Sequence, residues 1–131
     1  MSGKSRDPSS TPVVFFVDDD DNVRSVYGGI LRRNGIKVIE AASAEEASRL
    51  VEVFTDAIDV LLMDINLPDG WGVTLAQRLA EAHPEMVVVY TTGFADSDPI
   101  LSGALADEPY VLRKPFNSQQ LMETISAAMS E

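Results

Sequence analysis

The sequence predicts an α/β domain built on a five-stranded parallel sheet, doubly wound with helices on both faces. Two observations carry this expectation. Five short apolar runs, Val13–Val17, Val38–Ala41, Ile58–Met63, Met86–Tyr90 and Tyr110–Leu112, are rich in β-branched and aromatic residues and nearly free of polar alternation. That is the pattern of strands covered on both faces. Amphipathic segments lie between the runs on short connections, and right-handed crossovers then order the strands in parallel.

The first run, Val13–Val17, leads directly into four consecutive aspartates, Asp18 to Asp21. Carboxylates packed this closely disfavour each other's ionised forms unless a cation sits among them. Oxygen-only ligands suit a hard divalent ion such as Mg2+. A solvated acidic loop that caps the next helix is the alternative, and the run alone leaves both open. Val23, Val26, Tyr27, Ile30 and Leu31 then fall on one helical stripe that stops at Asn34-Gly35. Gly28-Gly29 inside that helix is unusual, and close packing against the sheet is one explanation.

After the second strand, Ser43 and Glu46 have the spacing of a capping box, and Ala47, Leu50, Val51 and Phe54 follow on one face. The third strand ends in Asp64. The next helix carries Leu75, Leu79 and Ala82 and halts before Pro84. The fourth strand runs into Thr91-Thr92-Gly93, and a helix is expected over 96–106, although Pro99 and Gly103 lower its propensity. The fifth strand meets Arg113-Lys114-Pro115-Phe116. A last helix starts at Asn117 or Ser118 and carries Leu121, Ile125 and Ala128. Asp20 and Asp21 read as a solvated helix start, and Asp69-Gly70 as a turn.

Composition bounds the function. At 131 residues the chain is one domain, with a flexible lead-in or linker over 1–12 and the folded unit over 13–131. A net charge of −11 argues against nucleic acid or an anionic membrane as a direct partner. The lack of cysteine excludes disulfides, thiol nucleophiles and zinc–thiolate sites. With neither a membrane-length apolar stretch nor a signal-peptide core, a cytoplasmic protein is expected.

Ligands of open parallel sheets bind at the carboxyl ends of the strands. Here those ends carry Asp18 and Asp19, Asp64, Thr92 with Gly93, and Lys114. Clustered acids can hold Mg2+ while one of them attacks phosphorus, with a lysine and a hydroxyl stabilising the transferring group. In order, VDDDDNVR (17–24), LLMDINLPDGWG (61–72), YTTG (90–93) and RKPF (113–116) resemble the receiver domain of two-component response regulators. The resemblance covers Val13 to about Met129.

The resemblance implies a flavodoxin-like (βα)5 receiver fold with strand order 2-1-3-4-5 and a phosphoacceptor at Asp64. It implies Mg2+ (or Mn2+) held by Asp18, Asp19, Asp64 and the backbone carbonyl of Asn66. Thr92 and Gly93 would face the phosphoryl group, Thr92 as the switch hydroxyl, with Lys114 bridging to it through a cis peptide bond at Pro115. The expected partner is a histidine kinase or a histidine phosphotransfer protein, and homodimerisation stays open. The chain departs from the family at Val111, where many members carry an aromatic switch residue. No output domain is expected after Glu131, so the context is a stand-alone receiver or the receiver of a hybrid sensor histidine kinase.

Two other functions compete. Asp18-x-Asp20 after an apolar strand mimics a haloacid-dehalogenase-type phosphohydrolase, in which Asp64, Thr92 and Lys114 have no natural role. A receiver-like interaction module would keep the fold without phosphotransfer. A calcium loop starting at Asp18 fits poorly, because Val23 stands where a glycine is required.

Overall fold

The computed structural model describes residues 11–54, 56–93, 103 and 105–131. The chain order is β1 (Val13–Val17), α1 (Asp21–Arg33), β2 (Lys37–Ala41), α2 (Ala44–Val53), β3 (Val60–Asp64), β4 (Asn66–Leu67), β5 (Gly70–Trp71), α3 (Gly72–Ala82), β6 (Val87–Thr92), β7 (Val111–Arg113) and α4 (Ser118–Met129). Five strands form one sheet in the order β2-β1-β3-β6-β7, and every pairing in it is parallel. The expected helix over 96–106 and the lead-in over 1–10 lie outside the described residues, apart from Gly103, Leu105 and Ala106.

The two central strands, β1 and β3, are buried at every position. Their alternate residues feed two cores. Val13, Phe15, Val17, Leu61 and Met63 meet Ala47 and Val51 of α2 and Leu75, Ala76 and Leu79 of α3. Val14, Phe16, Val60 and Leu62 meet Leu31 of α1 and Leu121, Ile125 and Ala128 of α4. Continuous apolar runs thus satisfy a sheet that is covered on both sides.

Local chemistry sets the helix starts. Asp20 is the N-cap of α1, accepting from the backbone N–H of Asn22 (2.8 Å) and Val23 (3.1 Å). Ser43 accepts from Glu46 N–H at 3.1 Å, while the Glu46 carboxylate reaches Ala42 N–H at 2.6 Å, one residue before the position a strict capping box would use. Asn117 and Gln120 make a complete box at α4. Gly35 closes α1 with φ of +80°, a conformation that favours glycine.

Three sequence expectations shift. β3 starts at Val60, and the buried Asp59 before it turns its carboxylate onto the Val13 N–H (2.8 Å), tying the strand entrances together. Val26 is 58% exposed, off the packed stripe of α1. At about 100° per residue the buried face centres on Tyr27 and Leu31 and turns towards Arg24 and Gly28. Ala82 is exposed, and Ala76 fills the α3 face in its place.

Pro68 and Asp69 connect the small β4–β5 hairpin, which the sequence reading missed. The hairpin returns the chain so tightly that Gly72 N–H reaches Ile65 O at 2.7 Å. A Cβ at Gly72 would lie 2.3 Å from Asp64 O and 2.5 Å from Ile65 Cα. Asp69 spans from this hairpin to α2, accepting from Ala44 N–H (2.8 Å) and Glu45 N–H (3.1 Å).

Gly72→Ala should therefore destabilise the fold by about 1–3 kcal/mol, the usual range for overpacking. An unchanged urea midpoint would contradict the close approach. Burial, with the Glu108 charge adding, pushes the Tyr90 phenol from 10.0 up to about 12. The folded state then keeps this proton where the unfolded chain releases it. Its contribution to stability is present below the unfolded pKa and is lost as pH rises through the folded one. Wild type should lose stability relative to Tyr90→Phe between pH 10 and 12. Parallel urea curves for the two proteins over that window would refute this.

Candidate functional site

Both central strands end in an acid on the same rim of the sheet. Asp18 follows β1 and is fully buried, and Asp64 closes β3 at 5% exposure. Asp19 beside them is exposed. Carboxylate oxygens of Asp18, Asp19 and Asp64 all lie within 4.8 Å of one another. Asp64, Asp19, Asn66, Gly93 and Lys114 line an open cleft of about 340 Å³.

Lys114 enters this cluster from the far edge of the sheet. Its Nζ donates to Asp18 Oδ2 at 2.8 Å and to Asp64 Oδ2 at 3.1 Å. At an effective dielectric near 20, each close charge pair is worth about 4 kcal/mol of Coulomb energy. Two attractions therefore outweigh the single Asp18–Asp64 repulsion. The remaining carboxylate oxygens are also held: Asp18 Oδ1 accepts from Asp20 N–H (2.9 Å), and Asp64 Oδ1 accepts from Asn66 N–H (3.0 Å).

The titration behaviour follows from these contacts. Burial pushes the Asp64 carboxyl above its ordinary range, and the Asp18 charge adds to that, against the Asn66 N–H and Lys114. Burial works against the charge of Lys114, but its hydrogen bond to Asp18 and the charges of Asp64 and Asp18 hold its pKa above the ordinary lysine value. The ammonium stays charged, and with all three acids ionised the cluster keeps two uncompensated negative charges. An all-oxygen donor set of this size and charge fits a divalent hard cation.

The lysine's approach is fixed at several points. Lys114 N–H donates to Thr92 O at 2.8 Å, which carries the β6–β7 pairing beyond the strand. The Lys114–Pro115 peptide bond is cis. Phe116 is buried and stacks on Tyr27 of α1 with ring centroids 4.2 Å apart, and Tyr27 Oη donates to Phe116 O at 2.7 Å. The apolar stripe of α1 marks Tyr27 as a core residue; its pairing with Phe116 bridges 89 positions and leaves no local signal.

Thr92 is buried at the end of β6, and Gly93 is exposed at the cleft. Val111 packs against the core under α2 and α3, whereas Tyr110 packs against the other core and sends its hydroxyl to Glu131 and Ala127 O. Period-2 alternation requires that split. Asp20 leaves the cluster to cap α1. Trp71, 37% exposed, stands at the N-cap of α3. Arg24, also missed, donates from Nη1 to Asp18 O at 2.7 Å.

The comparisons with known proteins agree with this geometry. A family model described as "Response regulator receiver domain" matches residues 14–126. Sensor kinase CckA of Brucella abortus (strain 2308) is 32% identical over 98% of this chain, and transcriptional regulatory protein CpxR of Escherichia coli (strain K12) is 32% identical over 88% of it. The chain spans only 14% and 48% of the length of those two relatives. Among solved structures, a CheY-like response regulator receiver domain protein from Methanospirillum hungatei JF-1 superposes with a TM-score of 0.80 at 28% identity, covering 92% of this chain and 95% of that one. An acid at the end of each central strand, a lysine reaching both, and a family match over nearly the whole described fold lead to one conclusion: the chain belongs to the response regulator receiver domains of two-component signalling.

Proposed function

We propose that the chain is a phosphoacceptor receiver in which Asp64 takes a phosphoryl group from a histidine kinase or a histidine phosphotransfer protein. The observation that carries this reading is the Lys114 bridge between Asp18 and Asp64 at a cleft open to a donor. Such a bridge holds the acceptor carboxylate in a defined pose while offering a cation to the incoming oxygens.

An Asp64 carboxylate oxygen attacks phosphorus as the P–N bond of the donor phosphohistidine breaks, and the leaving imidazole takes up a proton from solvent. Asp18, Asp19, Asp64 and the backbone carbonyl of Asn66 would hold Mg2+ (or Mn2+), which supplies charge neutralisation at the transferring phosphoryl oxygens. Lys114 follows a phosphoryl oxygen, and Gly93 leaves that side of the cleft open. Thr92, now buried, provides the hydroxyl that turns towards the new group. With Val111 in place of an aromatic, the output rests on backbone shifts that begin at β6. A cytoplasmic location fits this chemistry, and no described helix is long and apolar enough to cross a membrane.

The phosphohydrolase alternative needs Asp20 in the cleft, but its carboxylate is engaged by two N–H groups of α1. An interaction module without phosphotransfer gives no reason to gather three like charges on one rim.

Incubation with acetyl phosphate and Mg2+ should add the mass of one phosphoryl group, and Asp64→Asn should abolish it. An unmodified mass with the fold intact would overturn the proposal. Lys114→Ala should slow phosphorylation at saturating Mg2+ by about 100-fold, the scale of losing one preorganised charge partner. A rate within twofold of wild type in the same assay would remove the lysine from the mechanism.

A further inference from the structure

We propose that Arg24 is a positioning residue for the acidic site: its guanidinium fixes the Asp18–Asp19 peptide and thereby sets the affinity for a divalent cation. The proposal rests on the metal-dependent reading above and concerns a residue that has no part in it.

Arg24 lies in the first turn of α1, with its side chain only 14% exposed. It makes three separate contacts: Nη1 to Asp18 O at 2.7 Å, Nε to Glu40 Oε1 at 3.3 Å, and Nη2 to the Asp21 carboxylate. On the other side of the same residue, Asp18 N–H donates to Ala41 O at 3.1 Å. Asp18 is therefore held at its N–H by the sheet and at its C=O by the arginine. Fixing that carbonyl fixes the plane of the Asp18–Asp19 peptide, and with it the direction in which the Asp19 side chain leaves the backbone.

Asp19 is the acid that needs such help. Asp18 and Asp64 are each oriented by Lys114 and by a backbone N–H. Asp19 is exposed and has no comparable contact among the described residues. Its pose comes from the main chain, and Arg24 holds that main chain.

The arginine does this without opposing a cation, because Asp21 and Glu40 counter its charge. Glu40, on β2, is itself held by Arg32 Nη2 at 2.8 Å. Gly28 provides the space. A Cβ there would lie 3.2 Å from Glu40 Oε2 and 3.3 Å from Arg32 Nη1, crowding both members of the pair. This accounts for the first glycine of Gly28-Gly29; the second would meet only Arg33 Nη1 at 3.5 Å, an ordinary contact. Of the two arginines on Glu40, only Arg24 reaches the Asp18 carbonyl; Arg32, half exposed, ties α1 to β2 outside that contact. A planar fork presents donors on three separate nitrogens and so reaches three spread acceptors at once, whereas the three donors of a lysine radiate from a single nitrogen.

Removing a group that orients metal ligands typically lowers metal affinity 10–100-fold. The test uses the full chain, with Mn2+ binding read from the EPR signal of the free ion. Alongside it, the Mg2+ dependence of phosphorylation by acetyl phosphate is measured. Arg24→Ala should weaken Mn2+ binding about 10-fold and raise half-saturating Mg2+ by the same factor, with the rate at saturating Mg2+ within about twofold of wild type. Arg32→Ala removes the outer pair but leaves Arg24 on Asp18, and should stay within about twofold in both measurements. Arg24→Met keeps the aliphatic stem without the donors and repeats the comparison should the alanine variant fail to fold.

Wild-type Mn2+ affinity in the Arg24 variants would overturn the proposal. So would an equal loss in Arg32→Ala, which would mark general loosening of α1, or a lower maximal rate with half-saturating Mg2+ unchanged. A wild-type chain that binds Mn2+ but takes no phosphoryl group would refute the proposed function alone, and the Mn2+ titrations would still decide the role of Arg24. A wild-type chain that binds no Mn2+ would overturn both.

Discussion

The structure turns on one ammonium group held between two buried carboxylates. β1 and β3 are adjacent central strands, and each delivers an acid to the same rim. Without a cation, that arrangement sets two like charges side by side in a poorly solvated place. Lys114 resolves it by reaching back across β6 from the edge of the sheet. The contacts that aim it, from Thr92 O to the Tyr27–Phe116 stack, lie on three different elements. The site is consequently a property of the whole sheet and not of any single loop.

The same rim is braced from the other side. Arg24 and the Glu40 pair fix the end of β1, while Gly72 and the β4–β5 hairpin crowd against the end of β3. Both devices constrain backbone, which leaves the carboxylates few ways to turn apart from one another. A preorganised set of like charges resists relaxation, and this favours a divalent cation. Asp69, capping α2 from the hairpin, extends the constraint to the neighbouring helix.

Val111 and Tyr110 show how a small change of register redirects a surface. Alternation along β7 puts Val111 over the core that also holds Tyr90, and Tyr110 over the opposite core. The aromatic ring is present in the chain, one residue before Val111, but it packs on the opposite face of the sheet. Tyr110 instead ties the start of β7 to the end of α4 through Ala127 and Glu131.

Periodicity and punctuation determined the fold class, all five strands of the main sheet, the four helices described and the N-cap at Ser43. These depend on neighbours within a few residues, and strands covered on both faces leave an unambiguous apolar signature. Asp18, Asp19, Asp64 and Lys114 were legible as well, because strand ends are where a parallel sheet places its ligands. Long-range geometry decided the rest: the Arg24 brace, the Tyr27–Phe116 stack, the hairpin that makes Gly72 obligatory, the turn of α1 that leaves Val26 in solvent, and the capture of Val13 by Asp59. Apart from the turn of α1, which follows from what the helix packs against, each of these pairs residues that share no element, and a sequence records the chemistry of both partners but not the distance between them.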